Sequence, residues 1–413
     1  MQIVIYALGT LGDIGPMSAL AAELVRRGHS VSFLSNDYFQ ELIETSGCEF
    51  VSIGGESQYR KGNTDEAWQA DNFEDNFEHY HAPAFKPSFN YVLTHTGADT
   101  VALILGNNSG AEAACERRGI PYIKIILSPN VVFSAISPPA PLRWAIPSSA
   151  PRWLMRLLMN RHRKVKFKRF CQAKFTEGYR KQRAELGCPL LYRKHDRSLL
   201  QVGLFPCWYA MAPSDWPSNF HLCHFPMINI VKQNARHQFD KLCEQLGQPI
   251  IFTAGSGRSS AEQLFREGRK VCEQLNVPGI FVGGGKSAQL LDGANFCAHI
   301  DYIDFEYAFS KARLVVHHGG IGTVAQAIRA GVTQLICPVK YDQPDNADRI
   351  YRLGLGSYIL PERFTAEALA PMVQRMLAQS SDAAALEYFA ARCEGNAIQN
   401  ACDLIEASIT ASC

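Results

Sequence analysis

The chain has 413 residues, with 41 lysines and arginines against 39 aspartates and glutamates, so its formal net charge is +2. This near-balance excludes a general nucleic-acid binder, which would carry a strong basic excess. With 47% hydrophobic and 19% charged residues the composition is that of a globular protein, and the length predicts two domains.

The charge is distributed unevenly along the chain. Between Arg117 and Thr176 there are 13 lysines and arginines and no carboxylate, which leaves 28 basic and 39 acidic residues, or −11, in the rest. Residues 152–170 alternate basic with large apolar side chains. This pattern predicts either a solvated helix face or an amphipathic helix that contacts an anionic membrane surface or an amphiphilic acid.

The cysteines and the first residues bear on the cellular compartment. The 13 cysteines show no CxxC pair and no metal-ligand spacing, so we expect free thiols and no metal site. The chain opens on a strand-like apolar run, without the features of a signal peptide, and no apolar stretch reaches the roughly 18 residues of a membrane span. The sequence therefore predicts a cytoplasmic protein, with peripheral contact at the inner membrane surface left open.

Short apolar runs alternate with helical patterns through the first half of the chain. The predicted strands begin at Ile3, His29, Val101 and Tyr122, and the predicted helices cover 16–28 and about 110–118. After residue 248 the alternation restarts, with strands beginning at Pro249, Gly279, Leu314 and Thr333. This predicts an α/β protein of two doubly wound, Rossmann-like lobes with parallel sheets, 1–228 and 229–413, joined by a linker at 225–237. The domain division leaves open that the last helix crosses back to the first lobe. Ligands of such sheets bind at the carboxyl ends of the strands, so we expect the site in a cleft between the lobes.

The strongest chemical signal is the motif HHGGIGT at 317–323, where a predicted strand turns into a helix. Glycines let a ligand approach the backbone, the helix start supplies free N–H groups, and His318 and Thr323 add side-chain donors. The motif is neither GxxxxGKS/T nor GxGxxG, which argues against P-loop hydrolases and nicotinamide dehydrogenases. It favours a phosphate cradle, with a turn built for packing alone as the alternative.

Two carboxylates mark further candidate sites. Asp342 opens the run DQPDN after a predicted strand. Together with Gln343 it can bind sugar hydroxyls, or it can act as a capping residue in a polar turn. Asp13, in GTLGDIGP, stands just before Pro16, which suits the first turn of a helix. It is either an N-cap or a general base at the carboxyl end of the first strand.

In this order and spacing, the three motifs resemble those of the family 1 glycosyltransferases, which have the GT-B fold of two lobes. GTLGDIGP is similar to the family's acceptor-side opening, and HHGGIGT…RAGV…P…DQPDNADR is similar to its donor-site signature. The resemblance covers nearly the whole chain. Within the family, the chain looks most similar to bacterial rhamnosyltransferases of rhamnolipid synthesis, through the GDxxP opening, LFPCWYA, DWP and the DQxDNA run.

The resemblance implies roles for the residues that match these motifs. Those implied to hold the donor diphosphate are His318, Gly320, Gly322, Thr323 and the turn of Gly255, Ser256 and Gly257. Asp342 and Gln343 would hold the sugar hydroxyls, and Tyr302 with the backbone of Ile303 would hold the nucleobase. Asp13 would be the catalytic base, and the implied acceptor-side residues are Thr10, Gly12, Asn108 and Trp153.

Four sites depart from the family pattern. Asp13 stands where many members have a histidine, and Asn107 and Asn108 lie where an aspartate orients that histidine. A carboxylate base does not need its tautomer fixed, so these two departures are consistent with each other. Gln326 replaces a glutamate that binds ribose hydroxyls, which favours a deoxyribose donor such as a dTDP-sugar. Asp304 and Phe305 stand where the family usually has Pro-Gln, so the sequence leaves the nucleobase selectivity open.

The sequence thus predicts an inverting glycosyltransferase that uses no metal ion and no cofactor. Its donor would be a dTDP- or UDP-sugar carrying rhamnose or glucose, and its acceptor the hydroxyl of a lipid-like molecule such as a hydroxy-fatty-acid ester. A polycyclic or polyphenolic natural product or a sterol is the second acceptor class. The same fold would also suit a catalytically silent GT-B activator of a partner, or a nucleotide-sugar epimerase. The oligomeric state is left open.

Overall fold

The computed structural model describes residues 1–62, 77–106, 109–132, 134, 136–137, 139–140, 157, 174–188, 197–228, 235–255, 261–378, 383–393 and 395–411. The chain divides into two compact units, Met1–Pro226 with Asn396–Cys413, and Met227–Gly395. Four predicted site residues lie outside the described residues: Asn108, Trp153, Ser256 and Gly257. So does the basic segment 152–170, apart from Leu157, whose side chain is exposed. Within the described ranges, no helix is both long enough and apolar enough to cross a membrane.

The first unit is built on a parallel sheet of seven strands in the order β3-β2-β1-β4-β5-β6-β7. The strands are β1 (Gln2–Tyr6), β2 (Ser30–Asn36), β3 (Glu49–Gly54), β4 (Thr100–Leu105), β5 (Tyr122–Ile126), β6 (Leu200–Gly203) and β7 (Phe220–Leu222). Consecutive residues of β1, Ile3, Val4 and Ile5, are fully buried, so both faces of the sheet are covered. This is why the strands are continuous apolar runs and not alternating ones.

Among the described residues before β6, the first unit contains six helices. They are α1 (Leu11–Arg26), α2 (Gln40–Glu44), α3 (Glu56–Gly62), α4 (Ala82–His95), α5 (Gly110–Arg118) and α6 (Lys174–Glu185). The first turn of α5 approaches α4 so closely that a Cβ on Gly110 would lie 1.8 Å from the carbonyl oxygen of Phe85. Only glycine permits this approach. Shorter helical turns cover Asp37–Phe39, Phe77–His81 and Pro129–Val131.

The second unit repeats the architecture with a parallel sheet of six strands in the order β10-β9-β8-β11-β12-β13. Its strands are β8 (Ile250–Thr253), β9 (Gly279–Val282), β10 (Cys297–Ile300), β11 (Leu314–His317), β12 (Gln334–Ile336) and β13 (Gly356–Tyr358). Its helices are α7 (Ala235–Leu246), α8 (Ala261–Leu275), α9 (Phe305–Phe309), α10 (Ile321–Arg329), α11 (Gln343–Arg352), α12 (Ala366–Ala378) and α13 (Ala383–Arg392), with short turns at Gly285–Leu291 and Pro361–Arg363. The α/β class with two doubly wound parallel sheets, predicted from the sequence, is confirmed.

The last helix, α14 (Ala397–Thr410), packs against α1 in the first unit. Ala401, Cys402 and Ile405 are fully buried in that core. Arg27, just beyond the end of α1, donates from Nη1 to Asp403 Oδ1 and Glu406 Oε2, both at 2.6 Å, and from Nε to Glu23 Oε1 at 2.8 Å. The sequence assigned 229–413 to the second lobe and allowed this helix to cross back.

Each sheet has one point where the strand order reverses direction, between β1 and β4 in the first unit and between β8 and β11 in the second. In doubly wound folds a crevice forms outside the carboxyl ends of the strands at such a point. Beyond β1 the chain runs through Gly9 to Asp13, beyond β8 to Gly255, and beyond β11 to His318. The topology therefore brings the predicted motifs to the switch points.

Candidate active site

In the second unit, the turn from β11 into α10 forms a concave backbone surface. Gly319 has φ +92°, and a Cβ there would lie 2.7 Å from Ile336 Cγ2, so this position requires glycine. The first backbone bond within α10 runs from Val324 N to Gly320 O at 3.0 Å. The N–H groups of Gly322 and Thr323 precede that bond, as expected for the open first turn of a helix. This geometry suits a ligand with negative charge.

The two histidines of the motif differ in burial and in hydrogen bonding. His317 is fully buried, and its Nδ1 accepts from the Gly319 N–H at 3.2 Å, so Nε2 carries the proton and donates to Gln334 Oε1 at 3.0 Å. His318 keeps part of its ring exposed, and the ring lies within hydrogen-bond reach of the Thr253 backbone. Burial lowers the pKa of His318 to about 4, so its imidazole is neutral at pH 7 and can donate one N–H.

Backbone on two sides encloses the His318 ring. Gly255, beyond the end of β8, has φ +71°, and a Cβ there would lie 2.3 Å from His318 Cε1. A Cβ on Gly320 would lie 2.6 Å from His318 Nε2. The ring therefore packs directly against two glycines, which places Gly255, His318 and Gly320 together at the β8–β11 switch point.

The loop before α11 is tied to the same turn. Asp342 stands at the N-cap position of α11, but its Oδ2 accepts from the Ile321 N–H of α10 at 3.2 Å and from Asn346 Nδ2 at 2.8 Å. The same Asn346 amide donates to the carbonyl of Gly319 at 2.9 Å. Gln343 Oε1 accepts from two backbone N–H groups of its own loop. Its Nε2 amide group is therefore the part of the side chain that can donate to a ligand. Asn346 was not singled out, although the DQPDN run contains it.

The residues predicted at the nucleobase follow β10. Tyr302 is half-buried, and burial together with the nearby Asp304 raises the pKa of its hydroxyl to about 12. The Ile303 side chain is 2% exposed and belongs to the core. Asp304 accepts from the Tyr307 N–H at 3.2 Å and from Arg236 Nε at 2.7 Å, so this departure from the family pattern has a structural role.

Gln326 is buried in the second turn of α10. It is 5% exposed, and its Nε2 donates to the carbonyl of Ile228 at 3.2 Å. The preference for a deoxyribose donor that the sequence suggested at this position stays a prediction.

In the first unit, Asp13 lies at the third position of α1 and reaches back to the N-cap residue, Thr10. Its Oδ2 accepts from the Thr10 N–H at 2.8 Å and from Thr10 Oγ1 at 3.2 Å. The N-cap is thus Thr10 and not Asp13, because the helix begins at Leu11. Within the described residues, Asp13 Oδ1 makes no hydrogen bond. Burial raises the pKa of Asp13, while the two bonds from Thr10 oppose that rise.

The backbone before Asp13 is held from a distant segment. The hydroxyl of Tyr80 donates to the carbonyl of Gly9 at 3.0 Å and accepts from the Gly9 N–H at 3.2 Å. Nothing in the sequence marked Tyr80, which is 71 residues away from Gly9 and stands in no motif. Thr10 is partly buried and Gly12 exposed beside Asp13, so all three lie at the β1–β4 switch point.

In the part of the chain that the structure describes, no three His, Cys, Asp or Glu side chains are placed to hold a metal ion. The second unit gathers Gly255, His318, Gly320, Gly322, Thr323, Asp342 and Gln343 around one switch point, with Tyr302 beyond the edge strand β10. The first unit places Asp13 at the other switch point.

Comparison with known proteins agrees with this arrangement. Residues 3–84 match the glycosyltransferase family 28 N-terminal domain, and residues 295–397 match the C-terminal domain of proteins like erythromycin biosynthesis protein CIII. With two doubly wound units and these matches, the chain is a glycosyltransferase with the GT-B fold. The finer resemblance to rhamnosyltransferases of rhamnolipid synthesis has no specific support.

The chain is 23% identical over 400 residues to a sterol 3-beta-glucosyltransferase of Arabidopsis thaliana, a match that covers 91% of this chain and 63% of that longer protein. It is 24% identical over 429 residues to the O-mycaminosyltylonolide 6-deoxyallosyltransferase of Streptomyces fradiae, with 98% and 97% covered. The fold is similar to that of the glycosyltransferase VinC, whose crystal structure contains dTDP, with a TM-score of 0.66 at 17% identity over 99% of each chain.

Proposed function

We propose that the protein transfers a sugar from a dTDP-sugar, or alternatively a UDP-sugar, to a hydroxyl of an apolar acceptor, with inversion at the anomeric carbon. The observation that carries the proposal is the cradle at the β8–β11 switch point. There the neutral His318 ring packs beside Gly320, the residue at which the open first turn of α10 begins. Such a cradle is suited to a diphosphate.

The donor chemistry is leaving-group stabilisation. As the glycosidic bond to the diphosphate breaks, negative charge gathers on the departing oxygens. The N–H groups of Gly322 and Thr323, the positive end of α10 and an N–H of His318 would stabilise this charge. Because burial lowers the pKa of His318 to about 4, the ring acts as a hydrogen-bond donor and not as a permanent cation. Asp342 and Gln343 would hold the sugar.

The acceptor chemistry is base catalysis by Asp13. As the acceptor oxygen attacks the anomeric carbon, Asp13 Oδ1 would take its proton while Oδ2 stays bonded to Thr10. Burial raises the pKa of Asp13 above its ordinary value, which makes the ionised carboxylate a stronger base than an exposed aspartate.

The proposal covers two acceptor classes. The resemblance to rhamnolipid enzymes supports a hydroxy-fatty-acid ester, for which the basic segment 152–170 would supply complementary charge. The sterol and tylonolide named for the two relatives support a polycyclic or macrocyclic acceptor instead. The dTDP in the VinC structure supports dTDP as the donor nucleotide.

The test is a panel of dTDP- and UDP-sugars against a hydroxyalkanoyl ester, a sterol and a polyketide aglycone, with the product detected by its mass. We expect transfer with at least one pair and tighter calorimetric binding of dTDP than of UDP. His318→Ala should weaken dTDP binding by at least about tenfold. If the wild-type protein binds neither nucleotide and forms no product, the proposal is wrong, and sugar turnover without an acceptor would indicate an epimerase.

A further inference from the structure

We propose that Tyr80 is a positioning residue for glycosyl transfer, whose hydroxyl fixes the Gly9 backbone and thereby the carboxylate of Asp13. This inference rests on the proposed function, because it takes Asp13 as the base. A side chain from the Phe77–His81 turn thus sets the geometry of the Asp13 carboxylate without touching the substrate.

The contact between Tyr80 and Gly9 is two-sided. One hydroxyl donates to the Gly9 carbonyl at 3.0 Å and accepts from the Gly9 N–H at 3.2 Å, so both polar groups of one backbone residue depend on it. Gly9 has φ +151°, a conformation that side-chain-bearing residues rarely adopt. Because glycine is free to adopt many other backbone conformations, the two hydrogen bonds to the Tyr80 hydroxyl restrict this peptide to one of them.

Gly9 in turn borders the Asp13 carboxylate. A Cβ on Gly9 would lie 2.3 Å from Asp13 Oδ2, so the carboxylate packs directly against the Gly9 backbone. The next residue, Thr10, donates its N–H to that same Oδ2 at 2.8 Å. A change in the Gly9 peptide therefore moves both the packing surface and the hydrogen-bond donor that orient Asp13.

The Tyr80 ring is itself fixed. It is 3% exposed and meets the Tyr59 ring edge to face at a centroid distance of 5.6 Å. Tyr59 stacks on Tyr38 at 4.2 Å and meets Phe39 at 5.0 Å. These rings follow β2 and β3, so two segments at the carboxyl edge of the sheet hold the Tyr80 ring in place. Burial also raises the pKa of Tyr80, so the hydroxyl keeps its proton at neutral pH.

The experiment is a double-mutant comparison of Tyr80→Phe in the wild-type and Asp13→Asn backgrounds. Phenylalanine keeps the ring and removes only the hydroxyl. In the wild-type background we expect kcat to fall by at least about tenfold, with dTDP affinity changed less than twofold. In the Asp13→Asn background we expect Tyr80→Phe to change the residual rate less than twofold, because the group that it positions is gone. Tyr38→Phe, at the exposed end of the same cluster, should leave kcat unchanged.

Each outcome separates the two claims. Equal losses of kcat in both backgrounds would show that Tyr80 does not act through Asp13. A lower melting temperature with unchanged kcat in the folded protein would show that Tyr80 serves stability alone. If Asp13→Asn keeps near-normal turnover, the base assignment is wrong and the role of Tyr80 is wrong with it. A wild-type enzyme that transfers no sugar would overturn the proposed function first.

Discussion

Gly255→Ala tests whether the enclosure of His318 by backbone controls donor binding. At φ +71° the alanine costs about 1–2 kcal/mol in backbone strain. Its Cβ would lie 2.3 Å from His318 Cε1, whereas ordinary contacts start at 3.4 Å, so the ring must move by about 1 Å. A displacement of that size in a site of this kind costs on the order of 100-fold in rate.

Gly354→Ala is the matched control. Gly354 has φ +73°, nearly the same backbone conformation, and no atom lies within 4 Å of the position of its Cβ. Both variants should therefore lose similar stability in thermal unfolding, while only Gly255→Ala should lose dTDP affinity by calorimetry and about 100-fold in kcat. If Gly255→Ala binds dTDP and turns over as well as Gly354→Ala does, the ring of His318 does not govern the donor site.

Three further predictions follow from the base, the C-terminal helix and the basic segment. Asp13→Asn should lower kcat by about 10²–10⁴ and leave dTDP affinity within twofold. The acid limb of kcat/KM should lie above pH 3.8, the ordinary value, because burial raises the pKa of this base, and a limb at or below 3.8 would contradict that placement. Arg27→Ala should cost about 1–3 kcal/mol in urea unfolding, and the exposed Arg26→Ala should cost less. Hydrogen bonds from Arg26 and Arg27 lower the pKa of Glu23 from 4.5 to about 2. The stability lost in Arg27→Ala should therefore be greatest above pH 4.5 and decrease toward pH 2. Equal losses of stability in Arg26→Ala and Arg27→Ala would refute this prediction. Finally, if 152–170 contacts membranes, the protein should co-sediment with anionic liposomes at low salt but not at high salt, and absence of binding at every salt concentration would exclude this contact.

The sequence predicted the parts of the fold and site that are local in the chain. The α/β class followed from apolar runs separated by helical patterns. The glycines of HHGGIGT indicated a tight turn that a ligand can approach closely. In both cases the physical cause lies within about ten residues, so periodicity and turn chemistry reveal it. That Gly255 and His318 serve one site was implied by the family resemblance alone.

The parts that could not be predicted depend on contacts between distant segments. Tyr80 reaches Gly9 across 71 residues, and no pattern in either segment encodes that pairing. Gln326 stands where the family pattern suggested a ribose contact, but a carbonyl 98 residues away takes its amide. Positions 317 and 318 are both histidines, so the sequence does not distinguish them. Only the fold shows that His317 is the histidine buried against Gln334.

The return of α14 to α1 has a consequence for engineering and for descent. Residues 227–395 are bounded on both sides by chain that belongs to the first unit, so the second unit is an insertion within the first and not a simple C-terminal half. A chimera that exchanges the second unit needs two junctions, near 226 and near 395. A single crossover would pair α1 with a foreign α14 and break the contacts that Arg27 makes to Asp403 and Glu406.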